Sequence, residues 1–292
     1  MKPKLIITGA SGFLGYSLIK EAANDFDVYG LYNKRAFTSP MLTSLHGDIT
    51  NYISLGNLID DIEPDAVIHL AALADANYCQ VHPQESYTVN VEASANLAGI
   101  CADYNIPFLF SSTDLVFDGR QGMYTEQDEV NPVNLYGEHK ALAEQKILSI
   151  YPLATVCRLS LMFGASANGK TNYVSNLIQQ LRSGQPVSLF HDEYRSIAGT
   201  QSVSKGLLKL LGKASGVYHI AGKERLSRYE FGLKISKVFN LEKNLLKSCS
   251  QKDIEMAAPR PADVSMDITK AKSLGYEPMS MADELALMAL IN

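Results

Sequence analysis

Apolar residues along the chain fall into short runs separated by amphipathic stretches. Runs at 4–8, 27–32, 66–70, 106–111 and 154–159 read as strands, with helices expected near 13–24, 52–62, 78–104 and 134–150 between most of them. Strands alternating with helices of that length predict a parallel sheet. A parallel crossover needs a connecting segment long enough to be a helix, and the helix must bury its apolar stripe on a sheet face. A further strand over 43–46 is patterned more weakly. Pro64-Asp65 and Ile106-Pro107 mark places where a helix gives way to a strand, since the residue before a proline is pushed out of the helical region. After Gly164 the rhythm changes: 166–171 is small and polar, and the later apolar runs at 187–190 and 217–220 are short and separated by helices. A smaller lobe is expected to begin there. Val217-Tyr218-His219-Ile220-Ala221-Gly222 reads as a strand returning to the main sheet, which makes that lobe discontinuous in sequence. No internal repeat or low-complexity tract interrupts the pattern.

The first strand-to-helix junction carries a recognisable chemistry. Thr8-Gly9-Ala10-Ser11-Gly12-Phe13-Leu14-Gly15 spaces three glycines as G-x-x-G-x-x-G between the apolar run Leu5-Ile6-Ile7 and an amphipathic segment. Glycine lets the backbone turn sharply, approach phosphate oxygens without a Cβ in the way, and offer N–H groups at a helix N-terminus, where the dipole favours anions. A turn made of Gly9, Ser11, Gly12, Phe13, Leu14 and Gly15 therefore predicts a dinucleotide pyrophosphate site, with a plain tight corner as the alternative. The fold expectation becomes α/β: a Rossmann-type doubly wound parallel sheet with a smaller, mostly helical C-terminal substrate lobe. Residues 1–165, plus about 215–224, are assigned to the dinucleotide-binding domain, and 166–214 with 225–292 to the lobe.

Composition narrows the partners. At 292 residues with 46% hydrophobic and 20% charged, the chain buries a sizeable core without staples. A net charge of −5 argues against nucleic acid, so an anionic ligand must be met by local basic residues. Cys79, Cys101, Cys157 and Cys249 have no C-x-x-C pairing and no histidine at ligand spacing, so neither a disulfide framework nor a metal site is indicated, and they read as thiols of a reducing cytoplasm. No stretch reaches membrane-spanning length and the first apolar run is too short for a signal peptide, so a soluble, cytoplasmic protein is expected.

Tyr136-Gly137-Glu138-His139-Lys140 sets a phenol and an ammonium four residues apart, which on a helix puts their Cβ atoms about 5–6 Å from each other. Asn134 is positioned to cap that helix. Lys140 and the helix dipole both favour phenolate, so the pKa of Tyr136 is expected to fall from about 10 toward the working pH. By itself a Y-x-x-x-K pair is more readily a solvated surface pair. Phe110-Ser111-Ser112-Thr113-Asp114-Leu115-Val116-Phe117-Asp118-Gly119 ends an apolar strand in three hydroxyls, and ligands in open α/β sheets lie beyond the carboxyl ends of strands.

In these three motifs the chain resembles the extended short-chain dehydrogenase/reductase superfamily. Within it, 112–119 is similar to the corresponding stretch of the dTDP-4-dehydrorhamnose reductase family, as is Arg260-Pro261-Ala262-Asp263-Val264-Ser265-Met266-Asp267 near the C-terminus. The resemblance implies Thr113, Tyr136 and Lys140 as the catalytic trio, with Ser112 as the fallback for Thr113. A nicotinamide would deliver hydride to a sugar C4 ketone, Tyr136 would donate the proton, Thr113 would orient the oxygen, and Lys140 would bind the ribose. Where an NAD site usually places an acid after the second strand, this chain has Tyr32-Asn33-Lys34-Arg35. Lys34 and Arg35 suit a 2′-phosphate, so NADP(H) is favoured over NAD(H), with a solvated loop pair as the alternative. Further cofactor contacts are expected from Asn33, Asp48, Ile49, Ala71 and Ala72, against a helix cap for Asp48 and plain packing for the alanines. Ser112, Asp114, Arg195 and Arg260 are the candidate substrate contacts, Arg260 for the diphosphate, with an ordinary surface arginine preferred for Arg195. His69, His139 and His219 fall within elements and are read as structural.

Three functions stay open: a reductase of a 4-keto-6-deoxy nucleotide sugar, an epimerase holding NAD tightly, and a non-catalytic NADP-binding regulatory subunit. A dehydratase is disfavoured because Leu115 stands where such enzymes of the superfamily carry a glutamate after the aspartate. The sequence leaves open a homodimer through the helices near 78–104 and 134–150.

Overall fold

The computed structural model describes residues 1–34, 36–164 and 173–291. Its first part runs β1 (Lys4–Thr8), α1 (Phe13–Ala22), β2 (Asp27–Tyr32), β3 (Thr43–His46), α2 (Tyr52–Ile62), β4 (Ala66–His69), α3 (Ala76–Val81), α4 (Pro83–Tyr87), α5 (Ala93–Asp103), β5 (Phe108–Thr113), α6 (Leu135–Ile150) and β6 (Thr155–Leu159). Then follow β7 (Met162–Phe163), α7 (Tyr173–Arg182), β8 (Val187–Phe190), β9 (Tyr194–Ser196), β10 (Ala198–Gly199), α8 (Thr200–Leu210), β11 (Gly216–Ile220), β12 (Arg225–Ser227), α9 (Arg228–Val238), β13 (Leu246–Cys249), α10 (Thr269–Ser273) and α11 (Met281–Ile291). Arg35 and the small, polar stretch 166–171 lie outside the described residues.

Seven strands form one sheet in the order β11-β6-β5-β4-β1-β2-β3, every neighbouring pair parallel. The strand at 216–220 rejoins it beside β6, as its apolar run predicts. β4, β5 and β6 are buried along their whole length because helices cover both faces, which is why they read as continuous apolar runs. Strand order reverses between β1 and β4, and in sheets of this kind the crevice for a ligand opens outside the carboxyl ends at that point.

One helix expected over 78–104 is instead broken. Pro83 lacks an N–H and opens α4 as its first residue, so α3 stops at Val81, and a π-helical turn over Thr88–Glu92 leads into α5. The helix-to-strand junctions close on left-handed residues, Glu63 before Pro64 and Asn105 before β5.

Two apolar cores line the two faces of the sheet. A third is built from α7, α9 and α11 with Phe163, Leu189 and Leu246, where Phe163 and Phe231 meet at 5.2 Å. Around it β8 pairs with β13, and β9 with β12. The helix α8 packs on α1 and on the β6–β11 edge of the sheet. No helix among the described residues is long and apolar enough to cross a membrane.

Candidate active site

The glycine turn is held by backbone on every side. Gly9 has φ +68°, and a Cβ there would stand 2.8 Å from the Ala71 nitrogen; a Cβ on Gly15 would stand 2.5 Å from the Gly9 carbonyl oxygen. Gly12 caps α1 without a side-chain acceptor, which leaves the first N–H groups of the helix available to a ligand. This cradle, which a Cβ would fill, fits a dinucleotide pyrophosphate. Beneath it the Thr8 hydroxyl lies 2.6 Å from His69 Nδ1 and accepts the Leu70 and Ala71 N–H groups at 3.2 Å each, while His69 Nε2 meets Ser94 Oγ at 3.0 Å. Burial, with the Lys140 charge nearby, pushes His69 down to about 3. It is a neutral structural tie between β1 and β4, as read from the sequence. His139 bonds Ser86 at 2.8 Å and His219 the Asp267 carbonyl at 3.1 Å, so both are likewise built into the scaffold.

The proton-handling groups come from the end of β5 and the start of α6. Asn134 caps α6 by accepting the Gly137 N–H at 2.9 Å, and its amide donates to the Pro259 carbonyl at 3.0 Å. Gly137 is required where α6 presses on the turn after β5: a Cβ would lie 2.1 Å from the Leu115 oxygen. That contact brings Tyr136 to the Thr113 end of β5, where both side chains line the same cleft. Thr113 Oγ1 accepts the Leu115 N–H at 3.2 Å and donates to Asp114 Oδ1 at 3.2 Å. Lys140, 1% exposed, sets its ammonium 3.9 Å from the centre of the Phe110 ring. Burial brings it down to about 7, with the Glu144 carboxylate opposing.

The expected lowering of the Tyr136 pKa is not found. Burial, then the Asp114 charge and the Cys79 thiol, push the phenol upward, and only the Thr113 side chain acts the other way. Helical spacing gave the correct neighbours; it carried no information on how deeply they are buried.

A cleft of about 830 Å³ runs from the glycine turn past these groups to a set of arginines. Gly9, Gly12, Phe13, Leu14, Gly15 and Ala72 line one end, and Ser112, Thr113, Asp114, Tyr136 and Lys140 the middle. Arg195 and Arg260 stand at the far end. The surface reading of Arg195 is overturned: it is 4% exposed, with Nε 3.6 Å from Asp114 Oδ2 and a terminal nitrogen 3.3 Å from Glu193. Burial lowers Arg260, which stands near Glu193, Arg195 and Arg228. Arg228 and Glu193 also line this end, and sequence reasoning passed over both. Glu193 sits in the short connection between β8 and β9, and Arg228 in an unremarkable first helical turn.

Ser112 lines the cleft but gives its hydroxyl to Glu144, which Arg158 grips through both oxygens at 2.7–3.1 Å. That commits Ser112 to the layer below. Ser11, Asn33, Lys34, Asp48, Ile49 and Ala71 are not part of the cleft lining. Asn33 and Lys34 are exposed just past β2, the strand beside the glycine turn. Asp48 does not cap α2, since Asn51 accepts the Ser54 N–H and does so. The Asp48 carboxyl instead takes the Thr50 N–H and hydroxyl; the Thr50 N–H is the main reason it is held below the usual carboxylate range, with Asn33 and Lys34 adding to the effect. Ile49 is buried in a core, and Ala71 meets the turn through its backbone. Among the described residues no cluster of His, Cys, Asp and Glu is arranged to hold a metal ion.

A family model described as "RmlD substrate binding domain" matches residues 2–290. The chain is 31% identical to "Probable low-salt glycan biosynthesis reductase Agl14" of Haloferax volcanii, covering 97% of this chain and 96% of that one. It is 28% identical to "Methionine adenosyltransferase 2 subunit beta" of Danio rerio over 93% of this chain and 85% of the relative. Among solved structures, dTDP-4-dehydrorhamnose reductase of Bacillus anthracis in complex with NADP superposes with a TM-score of 0.89 at 25% identity, over 100% of both chains.

Proposed function

Since the chain belongs to the RmlD substrate binding domain family, we propose that it is an NADPH-dependent reductase of a 4-keto-6-deoxy nucleotide sugar, with 1–165 and about 215–224 holding the dinucleotide and the rest contacting the sugar nucleotide. The observation that carries this reading is one cleft that joins the glycine cradle, Thr113, Tyr136 and Lys140, and an arginine-rich end. Reduced nicotinamide, when bound, supplies the hydride. Gly9, Gly12 and Gly15 hold the pyrophosphate with backbone N–H groups. Lys34, exposed just past β2, would meet a 2′-phosphate.

Tyr136 keeps its proton at neutral pH because it is buried, and so meets the ketone oxygen as an acid rather than a phenolate. Thr113 supplies the second contact to that oxygen, and Lys140, one turn along α6, would bind the cofactor ribose. Arg260, with Arg195 and Arg228, suits the diphosphate through forked charge-assisted bonds. The NADP-bound reductase from Bacillus anthracis supports both the cofactor and the substrate class.

The test is NADPH absorbance against a panel of 4-keto-6-deoxy nucleotide sugars. Wild type consumes NADPH in bulk, and Tyr136→Phe slows it by at least about 10²-fold, the scale of a lost proton-transfer group. An epimerase would instead turn over sugar with no net NADPH loss. A second reading is favoured by the relative named as a methionine adenosyltransferase beta subunit: a dinucleotide-binding partner of a larger enzyme. Failure to reduce any sugar of the panel, with stable co-purification of such an enzyme, would select it.

A further inference from the structure

Thr113 has one hydroxyl hydrogen and two lone pairs to share among its neighbours. The Leu115 N–H occupies one lone pair, and the hydrogen goes to Asp114 Oδ1. With that hydrogen committed to Asp114, the Thr113 hydroxyl is turned away from the Tyr136 side of the cleft. In that arrangement a ketone oxygen entering the cleft beside Tyr136 does not find the Thr113 hydrogen, which is turned to a carboxylate. Given the reductase reading above, we propose that Asp114 is a positioning residue whose proton turns the Thr113 hydroxyl toward the substrate oxygen.

Protonated Asp114 donates to Thr113, filling its second lone pair and releasing the Thr113 hydrogen into the cleft. The proton on Asp114 is not consumed. Hydride from the nicotinamide forms the new C–H bond, the carbonyl π pair takes the Tyr136 proton to form O–H, and solvent returns a proton to the phenolate. The surroundings of Asp114 suit a carboxyl that changes state. It is 4% exposed, and its Oδ2 is buried without a hydrogen-bond partner, which disfavours a permanent charge. The groups facing it are Thr113 on its own strand end, Tyr136 from α6, and Arg195 from β9 with Glu193 on the far side of that guanidinium. Burial raises it to about 6, Arg195 and the Thr113 bond pull it down, and Glu193 pushes it up.

The experiment follows kcat/KM for the reduced sugar between pH 5 and pH 9 in wild type, Asp114→Asn and Thr113→Ala. For a group titrating at about 6, the protonated fraction falls roughly 50-fold between pH 6 and pH 8, and wild-type kcat/KM is expected to fall with it. Asp114→Asn has no ionisation and its amide donates to Thr113 at every pH, so the same interval should change it less than about 2-fold. Thr113→Ala is slower throughout and also loses the limb, and it carries the test should the asparagine variant misfold. Infrared difference spectra between wild type and Asp114→Asn should show a buried carboxyl losing its proton over the same interval, a signal independent of turnover. A limb that survives both substitutions, or a carboxyl that stays ionised down to pH 5, overturns the proposal. Absence of turnover with every sugar at every pH overturns the reductase reading itself.

Discussion

Two carboxylate–arginine pairs stand side by side at the carboxyl end of the sheet, Glu144 with Arg158 and Asp114 with Arg195, and all four side chains are 5% exposed. Consecutive residues of β5 bond to them: Ser112 to Glu144 and Thr113 to Asp114. Their geometry separates them. Arg158 holds Glu144 through Nε and a terminal nitrogen at 2.7–3.1 Å, and Ser112 adds a third donor. Arg195 stands 3.6 Å from Asp114 and shares itself with Glu193, leaving Asp114 Oδ2 without a hydrogen bond. Burial and the pairing of a carboxylate with a guanidinium are the same, so neither can explain why one pair is scaffold and the other faces the chemistry. The number of bonds around the carboxylate does: both oxygens of Glu144 have donors, whereas Asp114 Oδ2 is buried without one.

The largest expected effect breaks the saturated pair. Arg158→Met leaves Glu144 charged and buried, at a cost of about 3–5 kcal/mol that urea denaturation would read directly. Glu144→Met combined with it should recover most of that loss, since a buried pair replaced by apolar side chains of similar volume is often near neutral. If the single variant is as stable as wild type, the pair is not the scaffold described here. Arg195→Met should behave differently. Asp114 can take a proton instead of staying charged, so the stability loss at neutral pH is expected to be about 1–2 kcal/mol. Arg195 pulls the Asp114 pKa down, so its removal should move the acid limb of kcat/KM upward from about 6, by about one pH unit. A limb that stays in place, or moves to lower pH, would mean that Arg195 does not act on Asp114.

Much of this was legible before any coordinates. Apolar runs located the strands of the main sheet, including the return at 216–220, because buried parallel strands leave a local signature. The Tyr136–Lys140 spacing and the Asn134 cap were legible for the same reason, being set within one helical turn. The π-helical turn after Pro83 left no such mark. Glu144, Arg158, Glu193 and Arg228 were passed over because their roles depend on partners brought together by tertiary packing. Glu144 meets Ser112 from 32 positions away in the chain, and nothing in a window around either one predicts it. The direction of the Tyr136 shift failed likewise, since spacing names a neighbouring charge while burial decides the sign.

The smallest expected effect bears most directly on whether the two pairs are independent. Ser112 and Thr113 are joined by one peptide, so a strain in one pair has a short path to the other. Ser112→Ala removes a donor from Glu144 Oε1, which keeps the Arg158 Nε at 3.1 Å, while Oε2 keeps its own two contacts. A carboxylate that remains bonded through both oxygens loses little, and the expected cost is about 1 kcal/mol in urea denaturation. Ser112 does not touch Asp114 in the hydrogen-bond pattern, so the acid limb should hold its midpoint at about 6 in this variant. A shifted limb in Ser112→Ala would mean that β5 transmits the state of one pair to the other, and the division between a fixed pair and a titrating pair would no longer hold.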